Sequence, residues 1–106
     1  ADQIPTLIFD EVDAGIGGKT AKIVGEKLRH IARSHQVFCI THLPQIASHG
    51  DQHYRIAKSV QANHTTTDIQ ALNFSERIEE IARMSGGKEI TDTTRKHAEE
   101  MLTQHP

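Results

Sequence analysis

The side chains best suited to chemistry lie directly after two short apolar stretches. Asp10 and Glu11 follow the stretch at residues 6–9, and His42 follows the stretch at residues 37–41. Short, continuous apolar stretches are typical of parallel strands that are covered on both faces. In an open α/β sheet, ligands bind beyond the carboxyl ends of the strands. We therefore expect these three side chains to face a ligand at one edge of a sheet.

Two carboxylates and an imidazole at such an edge fit the hydrolysis of a nucleoside triphosphate. An aspartate at a strand end, here Asp10, suits Mg²⁺, which keeps several waters and takes few carboxylates. Glu11 could orient or deprotonate a water for in-line attack on the terminal phosphate, and His42 could donate a hydrogen bond to that phosphate. Paired acids at a strand end are often only solvated loop residues, so the hypothesis depends on the joint placement of all three.

A Gly-Lys-Thr triplet at residues 18–20 looks like the end of a phosphate-binding P-loop. The P-loop pattern requires a glycine at the position where this chain has Asp13. The chain therefore lacks a P-loop at this point, although the neighbouring acids still indicate a nucleotide site.

The elements around these residues predict an α/β fold. A helix over about residues 18–34 is indicated by apolar side chains at three- and four-residue steps, namely Ala21, Val24, Leu28, Ile31 and Ala32. Its opposite face, with Lys22, Glu26, Lys27, Arg29 and Arg33, is expected to be solvated. Strand, helix and strand form a βαβ unit, whose two strands are expected to be parallel with their carboxyl ends at the same edge.

The second half of the chain changes pattern. After a brief helical turn at residues 45–48, alternating apolar and polar residues around a turn at residues 61–64 predict an antiparallel hairpin. Two helices are predicted after it, at about residues 75–84, with Gly86 as a stop, and at about residues 91–103.

Bulk composition excludes several classes of protein. The 106 residues carry a formal net charge of -2 and a single cysteine, which indicates a reducing cytoplasm and no basic bias towards nucleic acid. Any DNA contact is therefore expected from another part of the protein. The sequence shows neither a membrane span nor a secretion signal.

Four stretches resemble a known family over nearly the whole chain. They are TLIFDEVDAGIGGKTA, VFCITHLPQIASHGDQHYRIAKS, RIEEIARMSGG and HAEEML. They are similar to the C-terminal part of the RecN family, bacterial DNA repair ATPases of the SMC-like branch of the ABC-type ATPases.

The resemblance implies roles for specific residues. Asp10 matches the Walker B aspartate and magnesium ligand, Glu11 matches the catalytic glutamate, and His42 matches the switch histidine. Residues 13–18, with Gly15, Gly17 and Gly18, match the D-loop region that faces the nucleotide and a partner head. The general ABC pattern has an aspartate where this chain has Gly17, which leaves open which residue contacts the opposite subunit.

The resemblance also implies cofactors and partners. Residues 1–106 would be a partial ATPase head, from Walker B to the C-terminus, that lacks the P-loop half. ATP and Mg²⁺ would bind in the complete head, two heads would form a homodimer around ATP, and DNA would bind through the full-length protein in the bacterial cytoplasm at the nucleoid. The missing half of the head and a coiled coil would be further partners, and the segment alone is expected to be inactive.

Two glycine motifs imitate parts of such a site. Lys19 is interpreted as a solvated residue in the first turn of the crossover helix. The Ser-Gly-Gly at residues 85–87 follows the Walker B strand, whereas the family's signature motif precedes it, so Gly86 is interpreted as a helix stop.

Two other functions are compatible with parts of the pattern. Residues 10–13 also fit the DExD box of a superfamily 2 helicase, but such a helicase is expected to end its next strand with a Ser-Ala-Thr-like motif rather than with Thr41 and His42. A non-catalytic interaction module with an ATPase shape is the second alternative, and the presence of Asp10, Glu11 and His42 counts against it.

Overall fold

The computed structural model describes residues 5–10, 17–86 and 89–104. In chain order its elements are β1 (Thr6–Asp10), α1 (Gly18–Ile31), β2 (Gln36–Ile40), α2 (Pro44–Ala47), β3 (Tyr54–Gln61), β4 (His64–Ala71), α3 (Phe74–Met84) and α4 (Asp92–Thr103). This order agrees with the predicted α/β architecture, and most boundaries differ from the predicted ones by only a few residues.

The first two strands form a parallel pair. Thr6 pairs with Gln36 and Asp10 with Ile40, and α1 connects the two strands. The predicted parallel βαβ unit is therefore present. Because the residues of the two strands pair one to one from the first pair to the last, both strands end at the same edge of the sheet.

The prediction that this pair is covered on both faces is wrong for the described part of the chain. One face carries Ile8 and Phe38, which are 71% and 50% exposed, and Ile40 lies beside them. The opposite face, with Leu7, Phe9, Val37 and Cys39, is half-buried. Apolar side chains on both faces require a covering layer on each side, and the described elements leave one side open.

The other two strands form the predicted antiparallel hairpin. Ala62 and Asn63 connect them with φ values of 47° and 69°, as in a two-residue turn whose twist matches that of the strands. Every residue of both strands is exposed. Polar contacts to α3 anchor the hairpin near its base: Gln70 Nε2 donates to Glu76 Oε2 at 3.0 Å, and Arg55 pairs with the buried Glu80 at 3.5 Å.

The principal apolar core lies between α3 and α4. Its buried members are Ile81, Ala82 and Ala98, with Ala47 of α2 packed against them. Helix α3 begins with a capping box, in which Asn73 Oδ1 accepts from Glu76 N at 2.8 Å and Glu76 Oε1 accepts from Asn73 N at 2.9 Å. Beyond its last turn Gly86 has a φ of 97°, so the interpretation of Gly86 as a helix stop is confirmed.

Candidate functional site

The parallel register brings two of the predicted site residues to one edge of the sheet. Asp10 is the last residue of β1 and pairs with Ile40, the last residue of β2. His42 follows Ile40 by two residues and is exposed, as is Asp10. An acid and an imidazole thus lie beyond adjacent carboxyl ends, where open α/β sheets bind ligands.

Two of the predicted D-loop glycines lie at the start of α1. Gly17 is the residue before the helix, with φ -82° and ψ 170°, and a Cβ added there would meet nothing within 4 Å. Neither the backbone angles nor the surrounding space therefore requires glycine at position 17. A Cβ on Gly18 would lie 3.2 Å from Gln45 Nε2, so the start of α1 lies close to α2. Glu11 and Gly15 lie outside the described residues.

A local turn fixes the chain directly after His42. Leu43 N donates to Thr41 Oγ1 at 3.0 Å, and Leu43 is the N-cap of α2. Pro44 occupies the first turn of that helix, where its missing N–H costs nothing. His42 is therefore held between a side-chain turn and a helix start.

Helix α2 packs tightly against α1. Ile46 and His49 are only 4% and 8% exposed. A Cβ on Gly25 of α1 would lie 2.9 Å from Gln45 O and 2.4 Å from His49 Cδ2, so only glycine permits this approach. A glycine inside a helical pattern is the sequence signal that could have revealed the contact.

Two arginines near the site were not singled out from the sequence. Arg29 was expected on the solvated face of α1, but it is half-buried and its Nη1 donates to His49 O at 2.9 Å. Arg77 of α3 donates from Nη2 to Gly50 O at 2.8 Å and to Ala47 O at 3.2 Å. Burial lowers the pKa of Arg77, and the charge of Asp51 partly opposes this.

The described side chains at the strand edge supply only part of a magnesium site. Asp10 offers a hard carboxylate oxygen of the kind that Mg²⁺ accepts. Within residues 5–10, 17–86 and 89–104, no group of three or more His, Cys, Asp or Glu side chains could hold a metal ion. A magnesium ion at Asp10 would therefore take its other ligands from water, phosphate and groups beyond the described residues.

Comparisons with known proteins identify a family. No protein-family model matches the chain. The DNA repair protein RecN of Haemophilus influenzae is 50% identical over 93% of the chain, and that of Bacillus subtilis is 45% identical over 95%. The chain spans about 18% of the length of each of these relatives. The resemblance to the RecN family is thereby confirmed.

A solved structure shares the fold. It comes from work on "ATP-driven dimerization and DNA stimulated activation of SMC ATPases", and its TM-score is 0.62 over 80% of this chain and 50% of the solved chain. The sequence identity is 16%, so this likeness concerns the fold alone. It confirms the predicted α/β fold, which this chain shares with that solved chain. None of the helices in the described ranges is long and apolar enough to cross a membrane.

Proposed function

Because this chain matches a segment of RecN over nearly its whole length, we propose that it forms part of the ATPase head of a bacterial DNA repair protein. Residues 1–106 would supply the Walker B acids, the D-loop region and the switch histidine. The complete protein would provide the P-loop half of the head, a coiled coil and the DNA-binding surface.

The parallel pairing of Asp10 with Ile40 is the observation that carries this proposal. Asp10 and the strand that leads to His42 thus end side by side, at the edge where open α/β sheets bind ligands. Identity of 45–50% to RecN relatives supports the proposal at the level of the family.

The residues of this chain would divide the work of hydrolysis. Asp10 would bind Mg²⁺, which when bound neutralises charge on the phosphates. Glu11 would orient the attacking water and accept its proton, and His42 would donate a hydrogen bond to an oxygen of the terminal phosphate. Gly17 and Gly18 would leave room for a second head to approach the nucleotide.

The head pair would couple nucleotide to DNA repair. ATP held between two heads would favour the dimer, in line with the ATP-driven dimerization described for SMC ATPases. Hydrolysis would release the dimer. DNA would reach this cycle through parts of the protein beyond the segment, since the segment itself has no basic bias.

Substitution of the two groups nearest the reaction tests the proposal. In the full-length protein, Glu11→Gln should lower ATP turnover by about 100-fold or more while ATP binding persists, because a positioned general base contributes about 10²–10⁴-fold. Stopped-flow ATP binding, steady-state turnover and light scattering of the dimer would be measured, and Glu11→Gln should prolong the dimer. His42→Ala should also lower turnover with binding retained.

Three results would contradict the proposal. Unchanged turnover in Glu11→Gln would exclude Glu11 as the catalytic base. A wild-type protein that binds a partner tightly without nucleotide and never hydrolyses ATP would favour the non-catalytic module, and ATP-driven duplex unwinding would favour the helicase.

A further inference from the structure

The segment that follows β2 is short of internal support. Helix α2 has only four residues, Pro44–Ala47, and a helix of that length does not hold together by itself. The carbonyl groups of its last two residues accept from His49 N at 3.0 Å and from Gly50 N at 3.2 Å, so the backbone bonds at this end of the segment are local. Bonds to other elements are what fix the position of residues 41–50, which include His42.

Arg77 of α3 supplies one such group. Its Nη2 donates to Gly50 O at 2.8 Å and to Ala47 O at 3.2 Å. A guanidinium remains charged in proteins, and a cation at the carboxyl end of a helix is stabilised by the helix dipole. The partial burial of Arg77 excludes some of the water that would weaken these bonds.

Arg29 of α1 supplies the second group. Its Nη1 donates to His49 O at 2.9 Å and lies 3.6 Å from Asp51 Oδ1. The Asp51 side chain is 82% exposed, so this ion pair contributes little by itself. The direct bond to the backbone is the contact that restrains the segment.

The two arginines thus hold the carboxyl end of the segment at residues 41–50. At the other end of the segment, the Leu43 N to Thr41 Oγ1 bond of 3.0 Å fixes the turn at His42. Between these ends, Gly25 allows α1 to touch Gln45 O and the His49 ring. A displacement of the backbone at Ala47 or Gly50 would therefore shift α2 and, with it, His42.

We propose that Arg29 and Arg77 are positioning residues that hold the switch segment, residues 41–50, so that His42 meets the terminal phosphate. This inference rests on the proposed function of His42. Neither arginine touches the nucleotide, and each acts through backbone carbonyls. Helices α1 and α3 thereby determine the geometry of the hydrolytic site without contributing a catalytic group.

Methionine substitutions in the full-length protein test the inference. Arg77→Met and Arg29→Met keep an unbranched side chain of about the length of the arginine stem and remove the guanidinium donors. Each should lower kcat for ATP by about 10-fold to about 100-fold, since misplacement of about 1 Å can cost about 10²-fold. The Kd for ATP should change by less than about two-fold, because the arginines do not touch ATP. Arg77→Lys should restore part of the loss, since its ammonium retains donors.

Arg95→Met is the matched control. Arg95 also belongs to the C-terminal helices and pairs with Glu79 at 2.7 Å and Asp92 at 3.3 Å, yet it makes no bond to the switch segment. Its loss should leave kcat unchanged. Hydrogen exchange should rise within residues 43–50 in Arg77→Met and Arg29→Met, and should stay at the wild-type level there in Arg95→Met.

A double substitution separates positioning from general loss of structure. In the His42→Ala background, Arg77→Met should lower the residual turnover by less than about two-fold, because the group that it positions is already absent. A further 10-fold fall, or increased exchange spread over all of α3 and α4, would overturn the positioning role.

The outcomes also distinguish this inference from the proposed function. If His42→Ala lowers turnover and both methionine variants retain wild-type kcat, the positioning role is wrong and the role of His42 stands. If His42→Ala turns over ATP normally, both ideas are overturned.

Discussion

At the scale of single residues, the protonation state of His53 affects the stability of the fold. It precedes β3, and its carbonyl accepts from Leu72 N at 2.9 Å. Burial lowers the pKa of His53 from 6.5, the charge of Arg77 lowers it further, and Glu80 opposes both. The folded state therefore favours the neutral imidazole.

Acidification should consequently weaken the fold around His53. A histidine whose folded pKa lies below its unfolded value of 6.5 binds its proton more readily when unfolded, so its contribution to stability is complete above 6.5 and is lost as the pH falls through the folded pKa. Between about pH 7.5 and about pH 5.5, the Tm of the full-length protein should fall more than the Tm of a His53→Gln variant. Calorimetry at matched ionic strength measures both, and parallel Tm curves would contradict this role.

Side chains in the site differ in how far the sequence predicts them. Asp10 and His42 were predicted from their position after apolar stretches, because a parallel register brings strand ends together whatever surrounds them. The sequence wrongly predicted that Arg29 lies on the solvated face of α1. A helical pattern identifies a charged residue as polar, but it does not show whether the guanidinium group contacts water or a backbone carbonyl. The carbonyl groups that Arg29 and Arg77 contact lie far from them in sequence, and no pattern along one helix identifies them.

At the scale of elements, the packing of α1 on α2 depends on one glycine. In a helix interior, Gly→Ala ordinarily stabilises by roughly 0.5–1 kcal/mol. At Gly25 the added Cβ would lie 2.4 Å from His49 Cδ2 and 2.9 Å from Gln45 O, and the second contact is with backbone. The overlap should outweigh the gain in helix propensity.

Gly25→Ala should therefore destabilise the α1–α2 pair by about 1–3 kcal/mol, as overpacking does. Gly18→Ala is the matched control in the same helix, because its Cβ would lie 3.2 Å from the flexible end of Gln45. Hydrogen exchange of residues 43–50 in the full-length protein measures the effect. Equal protection in the two variants would show that the segment moves aside at no cost.

The elements themselves were predictable for local reasons. The hairpin turn, the stop at Gly86 and the periodicity of α1 depend on residues near one another in sequence. The covering of the parallel strands was not predictable from the chain alone. Ile8 and Phe38 were expected to be buried, and their burial depends on a layer that the described residues do not supply.

At the scale of the whole molecule, the described chain is less compact than its length allows. Its radius of gyration is 15.0 Å, whereas a compact domain of this length has about 13 Å. Ile81 is the large side chain that is fully buried within the described ranges, while Ile8, Val60 and Ile69 are between 67% and 73% exposed. Large apolar side chains exposed to this extent indicate an interface.

We therefore expect the isolated 106-residue chain to behave as an incomplete unit. A two-stranded parallel sheet with one open face and an exposed hairpin bury too little apolar surface for a cooperative fold. The isolated chain should bind the dye ANS, unfold over a broad temperature range and show no ATP turnover above background. In the full-length protein, the amides of β1 and β2 should be protected from exchange, and in the isolated chain they should exchange faster by at least about 10-fold, which corresponds to about 1.4 kcal/mol of lost protection. A sharp, reversible unfolding transition together with ATP turnover would contradict this expectation, because it would require these residues to bury their sheet and bind nucleotide without the rest of the head.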